Sequence, residues 1–376
     1  MIYLDHAAAT PLDADVLAAM QPYFSEKFYN PSASYLAAQK VRTDLEQARA
    51  DVALQLGARA SEIIFTAGGT ESDNLAVSGV MQQFPDANVV VSAVEHDAVL
   101  EPAKRFNYSV ALVDKRGTVI LPDLESKIDD QTVLVSVMYA NNEVGTIQPI
   151  RQIALLLEKI RNERRMKGNA LPIYLHTDAC QAANYLDLHV SRLGIDLMTL
   201  NGGKIYGPKQ SGILYVSSKV QLQPLVRGGG QERNLRSGTE NVAACIGFAK
   251  ALELAQTRRH HESQRLSELQ DLTLKLLREK FPQIVINGSE HHRLPNNIHI
   301  TLPGQDNERL LVELDERGIL AAAGSACSAS DEEPSHVLRA MNISDTDAQA
   351  SLRLTMGRDT SESEVRTLVD TLSSLI

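Results

Sequence analysis

The sequence predicts an α/β fold with a mostly parallel, seven-stranded sheet, followed by a smaller α+β unit. Three observations carry this prediction. Between about residue 44 and residue 216, short apolar runs rich in β-branched residues alternate with segments of helical spacing, which is typical of βα units. These runs lack polar alternation, as expected for strands that are covered on both faces. After Gly238 the pattern changes to one long helical stretch and then to shorter strands mixed with helices.

The strands predicted for the sheet are, in chain order, EIIFTAG, NVVVSAVE, SVALVD, TVLVSVMYA, PIYLHTDA, DLMTLN and GILYV. Helical spacing occurs between them in ESDNLAVSGVMQQF and RQIALLLEKIRNERR. The second unit is predicted to hold the strands IVING, NNIHITL, ILAAAG and ASLRLTM, with helices at ERLLVELDERG, PSHVLRAM and SEVRTLVDTLSSL. We therefore expect a large domain over residues 16–255 and a small domain formed by residues 1–15 together with 256–376.

The composition excludes several classes of protein. The chain has 376 residues, of which 43% are hydrophobic and 22% charged, as in ordinary globular proteins. Its formal net charge of −10 provides no general basic field for a nucleic-acid backbone. The start, MIYLDHAAAT, has no basic region before an apolar core, and the longest apolar runs are too short to cross a membrane. We therefore expect a cytoplasmic protein whose main ligand is neither nucleic acid nor a membrane.

The segment FTAGGTESDNLAV has the pattern of a strand, a glycine turn and a helix. Its turn contains Gly68, Gly69 and Thr70. Backbone N–H groups at such a helix start can bind a phosphate, and glycine at position 69 allows the chain to approach it closely. The segment lacks a Walker A lysine and the GxGxxG spacing, so a purely structural turn explains the same residues. It is a candidate phosphate site only in combination with other features.

Two polar residues follow neighbouring predicted strands. Asp178 ends the strand in LHTDACQ, and Lys204 follows the next strand in the turn GGKIYGPK. Ligands of α/β sheets bind beyond the carboxyl ends of the strands, so both side chains are expected at one edge. Pyridoxal phosphate requires this combination, with a lysine for the Schiff base and an aspartate for the pyridinium nitrogen. Taken alone, Asp178 also fits a helix cap and Lys204 a solvated surface lysine.

The three cysteines show neither a disulfide framework nor a zinc pattern. Cys180 and Cys245 lie in regular, apolar segments and are predicted to be structural. Cys327 lies among small residues in ILAAAGSACSAS, which favours an accessible nucleophile over an ordinary loop residue. The adjacent histidine pairs at 260–261 and 291–292 lack the i, i+4 spacing of helical metal ligands, so no metal site is predicted.

Taken in order, these segments resemble the cysteine desulfurases of the IscS/NifS type, which are fold-type-I pyridoxal phosphate enzymes related to the class V aminotransferases. The likeness covers essentially the whole chain and includes YLDHAAATP, NPSASY, FTAGGTESDNLA, VEHDAVL, NNEVGTIQP, HTDACQ, KIYGPK, RGGGQERNLRSGTEN, GSACSAS, EPSHVLRA and LRLTMGR. The resemblance implies the fold-type-I transferase fold, pyridoxal 5'-phosphate as cofactor and L-cysteine as substrate. It also implies a homodimer with shared active sites.

The resemblance implies cofactor contacts from Gly69, Thr70, His96, Asp178, Gln181, Asn201, Lys204 and Thr239. Lys204 would form the Schiff base, Asp178 would face the pyridine nitrogen and Gln181 the phenolic oxygen. His96 would stack on the ring and assist proton transfer, and Thr239 would reach the phosphate bound in the partner subunit. In the best-known branch of the family, a serine and a histidine stand where this chain has Asn201 and Gly203. We expect either weaker cofactor affinity or compensation by another residue.

The catalytic residues implied by the resemblance are Lys204, Cys327 and His96, with Asn142 and Arg353 holding the substrate carboxylate. The thiolate of Cys327 would attack the substrate sulfur and leave a persulfide and alanine. The stretch from Gly324 through Pro334 resembles the longer-loop group, which passes sulfur to iron–sulfur scaffold proteins and tRNA-thiolation enzymes. The alternatives are selenocysteine lysis, another pyridoxal phosphate reaction such as transamination, and a non-catalytic interaction protein.

Overall fold

A computed structural model describes residues 1–324 and 334–376 of the chain. Its strands are β1 (Ile2–Tyr3), β2 (Ile63–Thr66), β3 (Asn88–Ser92), β4 (Asn107–Ala111), β5 (Thr132–Ser136), β6 (Tyr174–Asp178), β7 (Leu197–Asn201), β8 (Gly212–Val216), β9 (Val285–Ile286), β10 (Asn297–Thr301), β11 (Ile319–Leu320) and β12 (Ser351–Thr355).

Its α-helices are α1 (Ala14–Met20), α2 (Pro22–Ser25), α3 (Leu36–Leu56), α4 (Gly69–Gln83), α5 (Asp97–Ala103), α6 (Leu121–Lys127), α7 (Ile150–Met166), α8 (Val190–Leu193), α9 (Val242–Lys280), α10 (Asn307–Asp315), α11 (His336–Ala340), α12 (Asp345–Ala348) and α13 (Glu362–Leu375). No helix in these two described ranges is both long enough and apolar enough to cross a membrane.

The central sheet has seven strands in the order β2-β8-β7-β6-β5-β3-β4. Strand β8 runs antiparallel to β2 and β7, and the other neighbouring pairs are parallel. The predicted mostly parallel sheet is therefore confirmed, and each strand overlaps its predicted run, with β4 beginning two residues before the run SVALVD. Strands β3 and β5 are buried along their whole length, because helices cover both faces of the sheet.

A second, smaller set of strands lies toward the end of the chain. Strands β9, β10 and β12 form an antiparallel sheet, and β1 pairs in parallel with β11. Leu4 packs in one apolar cluster with Leu266, Ile298 and Leu352, so the first residues of the chain join its last third. Helix α9 connects this region to the central sheet. The domain bounds at residues 15 and 255 remain a prediction.

Two strands are shorter than their sequence runs predict. The runs IVING and ILAAAG give only the two-residue strands β9 and β11. Strand β9 pairs with the end of β10 over two residues, and β11 pairs with the equally short β1. Beyond β11, the run ILAAAG continues only as an isolated bridge between Ala322 and Arg353. The pattern analysis singled out neither β1 nor α3.

The sheet topology places several polar residues at one edge. Strand β6 ends at Asp178 and its parallel neighbour β7 ends at Asn201, with Asp178 and Thr199 in register. A single 3-10 turn, Gly202–Lys204, follows β7 directly. Helix α4 begins at Gly69, three residues after β2. These are the segments from which the candidate site is built.

Candidate active site

Lys204 is held at the carboxyl edge of the sheet by the N-terminal segment. Its Nζ donates to the backbone oxygens of Ala7 and Ala8 at 2.8 and 2.5 Å. The oxygen of Ala7 also accepts from Nε2 of Gln181 at 3.0 Å. The turn that carries Lys204 is capped by Asn201, whose Oδ1 accepts from the backbone N–H of Gly203 at 3.0 Å. Residues far apart in the sequence therefore position the lysine.

Two adjoining cavities, of about 80 and 530 Å³, surround this lysine. Nine of the eleven predicted site residues line the smaller one: Gly69, Thr70, His96, Asn142, Asp178, Gln181, Asn201, Lys204 and Arg353. Gly69, Thr70, Asn201 and Lys204 also line the larger one. The structure brings these predicted residues together. Their individual roles remain a prediction.

The larger cavity lies at the start of α4. Gly68 has φ +137°, a conformation that favours glycine, and a Cβ at Gly69 would lie 3.0 Å from Sγ of Cys180. The first N–H groups of a helix lack intrahelical partners and carry partial positive charge, which suits an anion. Lys209, which the sequence analysis did not single out, lines the same cavity, and its Nζ donates to the oxygen of Thr10 at 3.0 Å. The cavity thus combines a helix start with an ammonium group.

Arg353 on β12 is 1% exposed and lines the smaller cavity. Its Nη2 forms an ion pair with Oδ1 of Asp5 at 2.7 Å, and its Nη1 donates to the backbone oxygen of Asn142 at 3.2 Å. Its Nε has no hydrogen-bond partner among the described residues. A buried donor of this kind is costly unless a ligand satisfies it. The side chain is therefore suited to bind a carboxylate, with Asp5 as an orienting partner that the sequence analysis missed.

His96 is placed by the start of a helix. It is the N-cap of α5, and its Nδ1 accepts from the backbone N–H of Ala98 at 3.0 Å. In a neutral imidazole the nitrogen that accepts carries no proton, so the proton resides on Nε2. The ring also lines the smaller cavity. This tautomer and location suit a side chain that exchanges protons with a bound molecule.

Asp178 belongs to a cluster of buried ionisable groups. Its Oδ1 accepts from the backbone N–H of Cys180 at 2.8 Å. Asp73, which the sequence analysis also missed, lines the same cavity, and burial together with the charge of Asp178 raises its pKa well above the usual range. Burial lowers the pKa of His176 to about 4 and raises that of Glu95 to about 8. The interior of the site therefore favours neutral side chains.

Glu95→Gln is expected to remove a pH-dependent loss of stability. The pKa of Glu95 is 4.5 in its reference state and about 8 in the folded protein, so the folded state binds more protons between these values. The contribution of Glu95 to the free energy of unfolding therefore falls as pH rises through this range. Melting temperatures measured from about pH 5 to about pH 9 should fall less steeply in Glu95→Gln. The exposed Glu26→Gln serves as control, and equal slopes for wild type and Glu95→Gln would contradict the assignment.

Thr239 does not line the cavities around Lys204. It lines a separate cavity of about 210 Å³ together with Arg236 and Cys245. The loop before it is anchored by Glu232, which accepts two hydrogen bonds from Arg49 at 2.6 and 2.8 Å. The predicted contact of Thr239 with a phosphate in the partner subunit is not tested by a single chain.

The described cysteines are poor nucleophiles. Cys180 and Cys245 are both buried, and burial raises the pKa of both thiols above the usual range. The third cysteine, Cys327, lies outside the described residues. The chain resumes beside the site, because Oγ of Ser335 donates to Oε2 of Glu143 at 2.5 Å and Nε2 of His336 lies 2.9 Å from the backbone oxygen of Glu95.

Comparison with known proteins identifies the family to which this chain belongs. The family described as Aminotransferase class-V matches residues 2–368, so the chain belongs to the class-V aminotransferase family. A protein of Dictyoglomus turgidum named cysteine desulfurase IscS is 41% identical over 382 residues, which cover 100% of this chain and 94% of the relative. Within the family, the chain is thus a member of the IscS-type cysteine desulfurases.

Solved structures agree with this assignment. A structure titled NifS-like protein is 31% identical, with a TM-score of 0.91 and coverage of 100% of this chain and 98% of that chain. A structure titled SspA in complex with cysteine is 32% identical, with a TM-score of 0.81 and coverage of 95% of this chain and 99% of that chain. The expected fold type is therefore confirmed.

Proposed function

We propose that the chain converts L-cysteine to L-alanine with pyridoxal phosphate and passes the sulfur, as a persulfide on Cys327, to acceptor proteins. The observation that carries this proposal is the convergence of Lys204, Asp178 and Arg353 on one cavity beside the start of α4. The names of the relatives and the cysteine complex of a related structure support the reaction and favour it over the alternatives.

The residues present fit pyridoxal phosphate. The start of α4 and the ammonium of Lys209 suit its phosphate, and both border the larger cavity. In the adjoining smaller cavity, the carboxylate of Asp178 suits the pyridine nitrogen and the amide of Gln181 suits the phenolic oxygen. Lys204 supplies the amine for the Schiff base. The amide of Asn201 and the ammonium of Lys209 are the groups available to compensate for the absent side chain at Gly203.

The surrounding side chains would bind the substrate and move its protons. Arg353 and Asn142 hold the cysteine carboxylate, with Nε of Arg353 gaining its missing partner. Lys204 and His96 move the proton of the substrate Cα. When bound, pyridoxal phosphate supplies the sink for the electron pair that this proton leaves behind.

Cys327 carries the sulfur transfer. Its thiolate attacks the sulfur of the substrate, so that an S–S bond forms while the Cβ–S bond breaks. The electron pair of the broken bond passes to the substrate carbon, which takes up a proton and becomes the methyl group of alanine. Cys327 is left as a persulfide, whose outer sulfur moves to the thiol of an acceptor.

The acceptors follow from the length of the catalytic loop. The stretch from Gly324 through Pro334 resembles the longer-loop group, so an iron–sulfur scaffold protein and tRNA-thiolation enzymes are the proposed partners. The active unit is a homodimer in which Thr239 reaches the phosphate of the partner subunit.

Product analysis tests the reaction. Purified protein supplied with pyridoxal phosphate, L-cysteine and a thiol reductant is expected to release alanine and sulfide in equal amounts. A keto acid in place of alanine would establish transamination. A strong preference for selenocysteine in competition would establish the lyase. Protein that neither contains nor acquires a visible cofactor band would favour a non-catalytic role.

A further inference from the structure

A group of buried ionisable side chains lies next to Asp178 and takes no part in the proposed reaction. Asp73 on α4 is 1% exposed, and His176 on β6 is fully buried. Asp73 lines the same cavity as Asp178. Its Oδ1 has no hydrogen-bond partner in the described part of the chain. A buried carboxylate without compensation is costly, so the charge state of Asp73 requires an explanation.

His176 does not neutralise Asp73. Its Nε2 lies 3.6 Å from Oδ1 of Asp73, whereas charge-assisted hydrogen bonds measure about 2.7–2.9 Å. Its two nitrogens instead contact hydroxyl groups, Oγ of Ser136 at 2.8 Å and Oγ1 of Thr199 at 3.1 Å. Both nitrogens are thereby satisfied without a second proton. Burial also lowers the pKa of this histidine to about 4, so the ring is neutral near pH 7.

The charged groups that act most strongly on Asp73 are carboxyls. Asp178 and Glu95 act on it as carboxyls, and the thiol of Cys180 faces both aspartates. Two cations, Lys204 and Arg353, border the same cavity. Nζ of Lys204 binds the backbone oxygens of the N-terminal segment, and Nη2 of Arg353 pairs with Asp5. When two carboxyl groups share a buried site, the pKa of one of them is raised. Asp178 has a backbone N–H to stabilise its charge, whereas Asp73 has the hydroxyl of Thr199 and one oxygen without a partner among the described residues.

We propose that Asp73 is a positioning residue that carries a proton and shares one negative charge with Asp178. Asp178 is then the single carboxylate of the pair and is available to the pyridine nitrogen. The inference rests on the proposed cofactor site and adds a residue to it. Asp73 acts through Asp178, because a second negative charge at position 73 would draw a proton onto Asp178 and weaken its pairing with the cofactor.

Infrared spectroscopy of the wild-type holoenzyme tests the proton on Asp73 directly. Aspartate labelled with ¹³C in its side-chain carboxyl separates aspartic acid bands from those of Glu95 and the cofactor. At about pH 7, where free aspartate is ionised, we expect a protonated carboxyl band that shifts on labelling. The band should vanish in Asp73→Asn. Its absence from the wild type, or its survival in Asp73→Asn, would overturn the proposal.

Cofactor binding by matched variants provides a second readout. Asn imitates a neutral carboxylic acid in shape and polarity, so Asp73→Asn should bind pyridoxal phosphate within about twofold of the wild type. Asp73→Ala should bind it about tenfold more weakly, because the buried polar group is lost. The exposed Asp370→Asn is the control for the substitution itself. Equal weakening in Asp73→Asn and Asp73→Ala would show that an ionised Asp73 is required.

Different results would refute the desulfurase reaction and the charge shared by Asp73 and Asp178. A labelled acid band in a protein that forms no alanine from cysteine would refute the desulfurase reaction and leave the shared charge intact. Alanine formation by a protein without that band would refute the shared charge alone. If Asp73→Asn does not fold, the infrared spectrum of the labelled wild type still tests whether an aspartate in the protein carries a proton.

Discussion

Lys204→Ala is expected to abolish covalent attachment of pyridoxal phosphate and to lower the rate of alanine formation by about 10³-fold or more. The reason is that, in the proposed reaction, one side chain supplies both the Schiff-base amine and the base for the substrate proton. The measurement is reduction of the loaded protein with borohydride, followed by denaturation and peptide mapping. The wild type should retain the cofactor on the peptide that contains Lys204, and the variant should retain none.

Lys209→Ala is the matched control for this experiment. Lys209 borders the larger cavity, as Lys204 does, but its Nζ is held by the oxygen of Thr10 on the other side of the turn. We expect this variant to retain covalently bound cofactor after reduction, even where its affinity for free pyridoxal phosphate falls. Reduced cofactor found on Lys209 in the wild type would contradict the assignment of Lys204.

The central sheet could be predicted because its strands are buried on both faces. Burial of both faces requires continuous apolar runs such as NVVVS and TVLVS, which are easy to distinguish from amphipathic helices. The two-residue strands β1 and β11 were harder to predict. Each exists only because the other pairs with it across more than 300 residues of sequence, and no local pattern records such a contact.

The meeting of Asp178 and Lys204 was also predictable, for a topological reason. Parallel strands end at the same edge of a sheet, so two polar residues that follow neighbouring strands must converge. The register of β6 with β7 realises this arrangement. The family resemblance then added Asn142 and Arg353. Both are distant in the sequence from Asp178 and Lys204. Physical pattern alone did not indicate them.

Asp5 and Asp73 were missed because their chemistry depends on tertiary contacts. Asp5 lies in a short N-terminal segment, and its role follows only from its ion pair with Arg353. Asp73 belongs to the polar run ESDN at the start of a helix, where a carboxylate ordinarily faces solvent or favours the helix dipole. The packing of α4 against the sheet buries it instead. Its position four residues after Gly69, one helical turn beyond the predicted phosphate turn, is the sequence signal that could have drawn attention to it.

The chain has three cysteines, and the two described ones are unsuited to attack a sulfur atom. Thiolates are the reactive form, and burial raises the pKa of Cys180 and Cys245 so that both remain thiols near neutral pH. This supports the proposal, made from the family resemblance, that Cys327 accepts the sulfur. Later in the chain, Ser335 and His336 are bound to Glu143 and to the backbone of Glu95, which adjoin Asn142 and His96 of the cavity.

Cys327→Ala is therefore expected to separate cofactor binding from sulfur transfer. Lys204 and the groups around it are unchanged in this variant, so covalent pyridoxal phosphate should persist after reduction. Without the thiolate the Cβ–S bond of the substrate is not attacked, and alanine formation should fall by about 10³-fold or more. Radioactive sulfur from labelled cysteine should remain on the wild type and on Cys245→Ala but not on Cys327→Ala. Full turnover by Cys327→Ala would refute the nucleophile, whereas loss of the cofactor in that variant would show that position 327 supports the fold of the site rather than the transfer of sulfur.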